Sequence, residues 1–142
     1  MRVALEAPSA GDLAIIHAEL GKTYWSPGIP LETVTRAFAH SVVALARDEA
    51  GALIGFARVV TDKATFAWLC DVVVLEAHRC KGVARAVARA LMAGPELQGL
   101  RRWLLATRDA HGVYAPLGFV PSPAPDRWME IKNAAPYGVQ VG

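Results

Sequence analysis

The stretch from Thr65 to Met92 constrains this chain most. Thr65 to Leu75 is a mostly apolar, valine-rich run whose one charge is Asp71. Such a run suits a strand at the centre of a sheet, covered on both faces. A short polar turn follows, Glu76-Ala77-His78-Arg79-Cys80-Lys81-Gly82. The pattern then changes to helical. Val83, Val87, Ala90 and Leu91 form one face, and Arg85 and Arg89 lie one turn apart on a wetter face. A buried strand that feeds a helix through a tight turn demands a sheet with a helix packed on it. The next strand candidate, Arg102 to Thr107, completes a crossover.

The rest of the chain supplies the remaining layers. Arg2 to Glu6 reads as a strand, and Pro8 to Asp12 as turn material with helix N-cap options. Leu13, Ile16, His17 and Leu20 fall at helical spacing before Gly21. Tyr24 to Pro30 contains two prolines and a glycine and cannot be regular. A second helix starts near Pro30, with Val34, Ala37 and Phe38 as its apolar stripe. Val42–Arg47 and Ala52–Asp62 form a hairpin around Asp48-Glu49-Ala50-Gly51. After Gly94-Pro95 and the strand from Arg102, Asp109 caps a short helix through Leu117 that Gly118 ends. A strand at Phe119-Val120, a loop over Pro121–Pro125, a last strand at Arg127–Lys132 and a loose tail from Asn133 close the chain. Antiparallel hairpins come first and strand-helix-strand crossovers later, so the class is a mixed α/β (α+β) sheet in one domain over residues 1–142.

Composition narrows the function classes. Of the 142 residues 54% are apolar and 20% charged, so much of the chain is interior. The net charge is +2, with no block of five like charges, which argues against a nucleic-acid partner. No apolar run approaches the length of a membrane span. The two cysteines, Cys70 and Cys80, do not make a disulfide framework, and no Cys/His spacing suggests a metal. No leader peptide is read at the N-terminus, and the expected compartment is the cytoplasm.

The turn from Arg79 to Ala84 has the properties of a phosphate site. The first N–H groups of the helix that opens there lack internal partners. The helix dipole adds partial positive charge at the same place. Gly82 has no Cβ and lets backbone approach an anion, and Ala84 keeps that approach open. Arg79, Lys81 and Arg85 add charge at the rim. The local sequence alone equally fits a tight turn with solvated basic residues. It is neither a nucleoside-triphosphate loop nor a three-glycine dinucleotide fingerprint.

Three motifs in register carry a family resemblance. Arg79-x-x-Gly82-x-Ala84 resembles the Arg/Gln-x-x-Gly-x-Gly/Ala signature of the GNAT acetyltransferase superfamily. Asp71-Val72-Val73-Val74-Leu75 resembles its central strand, and Tyr114-x-x-x-Gly118-Phe119 its C-terminal motif. Leu97 to Trp103 and Asp109-Ala110-His111 resemble one bacterial branch with no assigned substrate. The resemblance spans essentially the whole chain. Arg79 is commonly followed by glycine in that superfamily and here by Cys80. Thr107 stands where the superfamily often has an asparagine that contacts the cofactor.

The resemblance implies a twisted, mostly antiparallel sheet of six to seven strands with about four helices. It implies transfer of an acetyl group from acetyl-coenzyme A directly to a small-molecule or peptide amine, by a monomer or homodimer, with no metal. Coenzyme A would then lie on Arg79, Cys80, Lys81, Gly82, Val83, Ala84 and Arg85, with Thr107 nearby. Backbone N–H groups of Val72, Val73 and Val74 would pair with pantetheine and receive the oxyanion. Tyr114 would protonate the leaving thiolate.

Several residues carry two readings. Tyr114 is a general acid or an aromatic packed under its helix. Asp71 is a base or the partner of an arginine, since a buried carboxylate needs one. Glu32 is a base candidate or simply favours its helix N-terminus. His111 shuttles a proton or decorates a helix. Tyr24 and Trp25 line the acceptor pocket or anchor their own loop. Phe56 and Arg58 lie two apart on one strand, hence on one side, and Arg58 there could meet an acidic acceptor group. Cys80 as a nucleophile conflicts with phosphates on the same turn. A non-catalytic acyl-coenzyme A sensor or subunit and a plain nucleotide-phosphate binder are the rival functions. The tail Val139-Gln140-Val141 permits a homodimer.

Overall fold

The computed structural model describes residues 1–138. Strand β1 (Arg2–Leu5) leads to helices α1 (Ala10–Leu20) and α2 (Leu31–Ala39). Strands β2 (Val42–Arg47), β3 (Leu53–Thr61) and β4 (Phe66–Val74) follow. Helix α3 (Val83–Met92) then crosses to β5 (Arg102–Leu104), and α4 (His111–Tyr114) continues as a 3₁₀ turn, Ala115–Leu117. The five strands lie in sequence order, β1-β2-β3-β4-β5. The first four are antiparallel, and β5 runs parallel to β4. The change of direction falls at the α3 crossover, because a parallel partner needs a long connection.

The sheet separates two cores. On one face Ala44, Ala46, Ala57, Val59, Ala67 and Leu69 meet Val83, Val87, Ala88 and Leu91 of α3. On the other, Val43, Leu45, Leu53, Phe56 and Val73 meet Ile16 and Leu20 of α1 and Val34 and Phe38 of α2. Small residues on the first face bring α3 close. Gly55 is the extreme case, since a Cβ there would stand 2.7 Å from Val83 Cγ1. The N-terminus of α3 is therefore pressed against the sheet centre. At the far end, Ser9 and Asp12 form a reciprocal cap on α1. Arg47 Nη1 and Nη2 donate to Asp12 at 3.0 and 2.8 Å, tying that helix to β2. This fork, together with the Ser9 bonds, holds the Asp12 carboxyl down at about 2.

The C-terminal third departs from expectation. Among the described residues the sheet has five strands, not six to seven. β5 stops at Leu104 rather than Thr107. Phe119-Val120 and Arg127–Lys132 are not strands, and Pro125–Arg127 is one 3₁₀ turn. Pro121, Pro123 and Pro125 remove backbone donors from this segment. The α4 N-cap is Ala110, not Asp109, and carries no side-chain cap. Gly118 does end the helical segment, at φ +103°. The tail Val139-Gln140-Val141 lies outside the described residues.

Candidate active site

Two irregularities in β4 create an opening. The first lies on its β5 side, where pairing covers only Phe66–Trp68 against Arg102–Leu104. Beyond Trp68 the two strands part, and no described strand pairs with β4 on that side. The second lies on its β3 side. Phe56 pairs with Val73 but Arg58 with Cys70, so Asp71 and Val72 together stand against Ala57. This is a β-bulge, and Asp71 sits in it at φ +51°. Past the bulge, Leu75 N–H donates to Ile54 O at 2.9 Å. By strand alternation the N–H groups of Val74 and Val72 then point away from β3, into the opening. The side chains of Val72 and Val74 pack in the α3 core and that of Val73 in the α1/α2 core.

The turn from Arg79 to Ala84 closes one end of this opening. Arg79 Nε donates to Val74 O at 3.1 Å, fastening the turn to the last residue of β4. Cys80 and Gly82 both take left-handed backbone, at φ +63° and +80°. Alternation of this kind lines successive N–H groups along a concave surface suited to an anion. Gly82 is the N-cap of α3, and a Cβ there would meet nothing within 4 Å. Space for an anion thus lies directly in front of a ten-residue helix. Lys81 is exposed, Val83 is buried and Ala84 half-buried. Arg85 donates from Nη2 to Gly112 O at 3.4 Å, while its Nε is buried without a hydrogen-bond partner. An orphaned guanidinium N–H beside a helix N-terminus fits a bound phosphate group.

The other side of the opening is built around Asp71. Arg58 Nε donates to its Oδ2 at 2.7 Å, and Trp25 Nε1 to its Oδ1 at 2.8 Å. Arg58 Nη1 also donates to Ser41 Oγ at 3.1 Å, and its guanidinium lies 5.6 Å from the Phe38 ring centre. Asp71 has found the arginine partner that its burial requires. Trp25 meets Tyr24 edge to face, with ring centres 5.0 Å apart. The face of Tyr24 carries the guanidinium of Arg108 at 3.9 Å. The loop between α1 and α2 thus reaches both the β4 bulge and the segment after β5. Phe56 corrects the sequence reading. It shares the α1/α2 side with Arg58 but is fully buried against Phe38, so it lines the core and not an acceptor pocket. Glu32 lies exposed in the first turn of α2.

Tyr114, Thr107 and His111 come from the segment after β5. Tyr114 is buried, packs edge to face on Phe119 with ring centres 6.1 Å apart, and belongs to the α3 core. Burial pushes its phenol up to about 12. Thr107 Oγ1 accepts the N–H of Ala110 at 3.0 Å and so shapes the turn into α4. His111 is exposed at the first position of α4. All three line a cavity of about 1110 Å³ beside β5, walled also by Trp103, Leu105 and Phe119. Neither Gly82 nor Asp71 lines that cavity. Cys70 is inert as a nucleophile, its thiol pushed up to about 12 by burial, whereas Cys80 is exposed.

Sequence reasoning did not single out Ser41 or Arg108. Both reach their partners only through the fold, Ser41 across 17 positions to Arg58 and Arg108 from the segment after β5 to the α1–α2 loop. Among the described residues no group of His, Cys, Asp and Glu could hold a metal ion, and no helix is long and apolar enough to cross a membrane.

Comparison with known proteins agrees with this architecture. Residues 14–119 match the model of the acetyltransferase (GNAT) family. A GNAT-family protein from Xanthomonas campestris pv. campestris is 42% identical, covering 98% of this chain and 99% of its own, with a TM-score of 0.87. Glucosamine-6-phosphate N-acetyltransferase from Arabidopsis thaliana shares the fold at 18% identity, with 93% and 96% of the two chains covered and a TM-score of 0.68. So does a Clostridium acetobutylicum protein solved with acetyl-CoA, at 15% identity, 92% and 96% coverage and a TM-score of 0.67. No curated protein matches the chain. The chain belongs to the GNAT acetyltransferase family.

Proposed function

We propose that the protein is an N-acetyltransferase that passes an acetyl group from acetyl-coenzyme A directly to an amine. One observation carries the reading. The edge of β4 beyond Trp68, which no described strand pairs, leads through a 3₁₀ turn at Glu76–His78 to the glycine turn at the head of α3. A ligand with an extended amide arm and a pyrophosphate matches that sequence of features. The arm adds to β4 through the N–H groups of Val72 and Val74. The pyrophosphate rests on the N–H groups from Lys81 to Arg85, with Gly82 allowing contact and Arg85 Nε meeting a phosphate oxygen.

The chemistry then follows from these residues. The β4 bulge turns backbone N–H toward the thioester carbonyl, where negative charge develops as the amine attacks. Proximity of the two bound substrates supplies much of the rate, and no covalent enzyme intermediate is needed. Tyr114 keeps its proton throughout the neutral range, because burial raises the phenol to about 12. It donates a hydrogen bond to the departing sulfur as the carbon–sulfur bond breaks. A free thiol near ~8.5 is the stronger acid, so full transfer of the phenol proton is uphill, and the proton that the amine sheds on becoming an amide replaces the one passed to sulfur. Asp71 serves as the anchor of Arg58 and Trp25 rather than as the base. Both of its oxygens are already taken, Oδ2 by Arg58 Nε and Oδ1 by Trp25 Nε1.

The test is thiol release from acetyl-coenzyme A by the purified protein, screened against a broad amine panel. Turnover with at least one amine is expected. Tyr114→Phe lowers kcat on the order of 10²-fold, about 2.7 kcal/mol of barrier. Tight coenzyme A binding without turnover on any amine would instead indicate a sensor or subunit. An unchanged kcat in the Tyr114 variant removes it from the acid role.

A further inference from the structure

We propose that Arg108 is the specificity residue for an anionic group, carboxylate or phosphate, on the acceptor amine. The inference rests on the acetyltransferase reading and adds an acceptor class to it. Its basis is the charge balance at the open side of the β4 bulge. Arg58 and Asp71 neutralise one another, and their side chains are only 16% and 9% exposed. Arg108 differs. Its side chain is 65% exposed, and its acidic neighbour Asp109 stands 4.0 Å away with 74% exposure. A pair that open and that long contributes little. Arg108 therefore stays largely unneutralised on the Tyr24 side of the opening.

The posture of that cation matters as much as its charge. Its guanidinium carbon stands 3.9 Å from the Tyr24 ring centre. Tyr24 is itself braced by Trp25, which is fixed to the bulge through its bond to Asp71. Cation–π contact satisfies the flat face of the guanidinium without consuming its N–H donors. The donor edge stays free for a two-point contact with a carboxylate or phosphate. The brace removes much of the rotamer freedom that an arginine otherwise loses on binding. The chain of contacts Arg108–Tyr24–Trp25–Asp71 joins this anchor to the strand position beside which the thioester carbonyl would lie. An acceptor held at its anionic end by Arg108 presents its amine toward the bulge.

The experiment uses matched acceptors that differ in one charge. Amino acids are compared with their carboxamides, and aminoethyl phosphate with aminoethanol, in the thiol-release assay. The wild type favours the charged member of the better pair at least 10-fold in kcat/KM. Arg108→Ala removes that preference by raising the acceptor KM roughly 10- to 100-fold, with the loss in KM rather than kcat. Arg108→Lys restores part of the affinity, since it keeps the charge but not the fork. The KM for acetyl-coenzyme A in the same variants reports any general damage to the cleft. Equal use of charged and neutral members by the wild type overturns the proposal, as does an Arg108→Ala loss of equal size on both. The carboxylate and phosphate arms tell the two anion sources apart. If no amine turns over, the catalytic reading fails and the anchor is judged by calorimetry. Titration of the same amines into protein with coenzyme A then supports it if Arg108→Ala weakens the anionic members alone, and overturns it if all affinities stay equal.

Discussion

Gly55→Ala tests how the sheet sets the position of the α3 N-terminus. The added Cβ would lie 2.7 Å from Val83 Cγ1, 3.3 Å from Val73 O and 3.8 Å from Val74 Cα. Apolar carbons settle near ~3.5–4.0 Å, so Val83 or the head of α3 must retreat by about 1 Å. Gly55 is buried in the sheet interior, and a forced methyl there costs about 1–3 kcal/mol. For a chain this size that corresponds to a fall of roughly 4–12 °C in Tm. The functional consequence is separable. Val83 is the first residue of α3, so its retreat moves the N–H groups assigned to the pyrophosphate. An approximately tenfold rise in the KM for acetyl-coenzyme A is expected.

A double-mutant cycle with Val83→Ala shows whether contact is the cause. Val83→Ala alone leaves a small cavity under α3 and destabilises by about 1–3 kcal/mol. In the Gly55→Ala background the same truncation removes the clashing methyl. The double variant is then more stable than the sum of the single effects by about 1–2 kcal/mol, and regains part of its coenzyme A affinity. Melting curves and initial-rate kinetics on four proteins suffice. A Gly55→Ala protein that melts like the wild type, or two substitutions that simply add, would refute the idea that Gly55 seats the helix.

Three further expectations follow from the same geometry. Gly82→Ala meets no atom within 4 Å, so at φ +80° it costs only the left-handed penalty of ~1–2 kcal/mol, yet its methyl stands where a phosphate would approach. The KM for acetyl-coenzyme A rises at least tenfold, and an unchanged KM in steady-state kinetics would move the phosphate elsewhere. Cys80→Gly relieves the same penalty at φ +63° and loses ~0.5–1 kcal/mol to glycine's flexibility, so Tm rises by a few degrees; a lower Tm contradicts the strain. Asp12, held at about 2 when folded against an ordinary 3.8, contributes about 2 kcal/mol above pH ~4 that disappears as pH falls toward 2. Denaturant titrations of Asp12→Asn should be less stable than wild type at neutral pH and converge with it in acid, and parallel curves would exclude this linkage.

Local signals located nearly every element before the α4 turn. Gly21, Pro30, Gly51 and Gly94-Pro95 punctuate patterns of the right period, and neighbouring residues decide those boundaries. The C-terminal strands failed because strand propensity needs a partner. Trp128 to Lys132 has suitable residues, but no strand forms there. The contacts that define the acceptor side were invisible for a related reason. Trp25 and Asp71 are 46 positions apart, and they meet only because the bulge reorients Asp71. The bulge itself is concealed by composition. Ala67 and Leu69 belong to the α3 face, and after the extra residue Val72 and Val74 return to it, a step of three where a regular strand takes two. In a run that is apolar on both faces, that slip changes no residue type and leaves no periodic trace. Only the charge betrays it. A carboxylate in such a strand must find a donor, and the one charged residue between Thr65 and Leu75 stands where the alternation breaks. The same slip that brings Asp71 to Arg58 and Trp25 aims the Val72 N–H into the opening, so the anchor of the acceptor loop and the proposed oxyanion donor share one backbone irregularity.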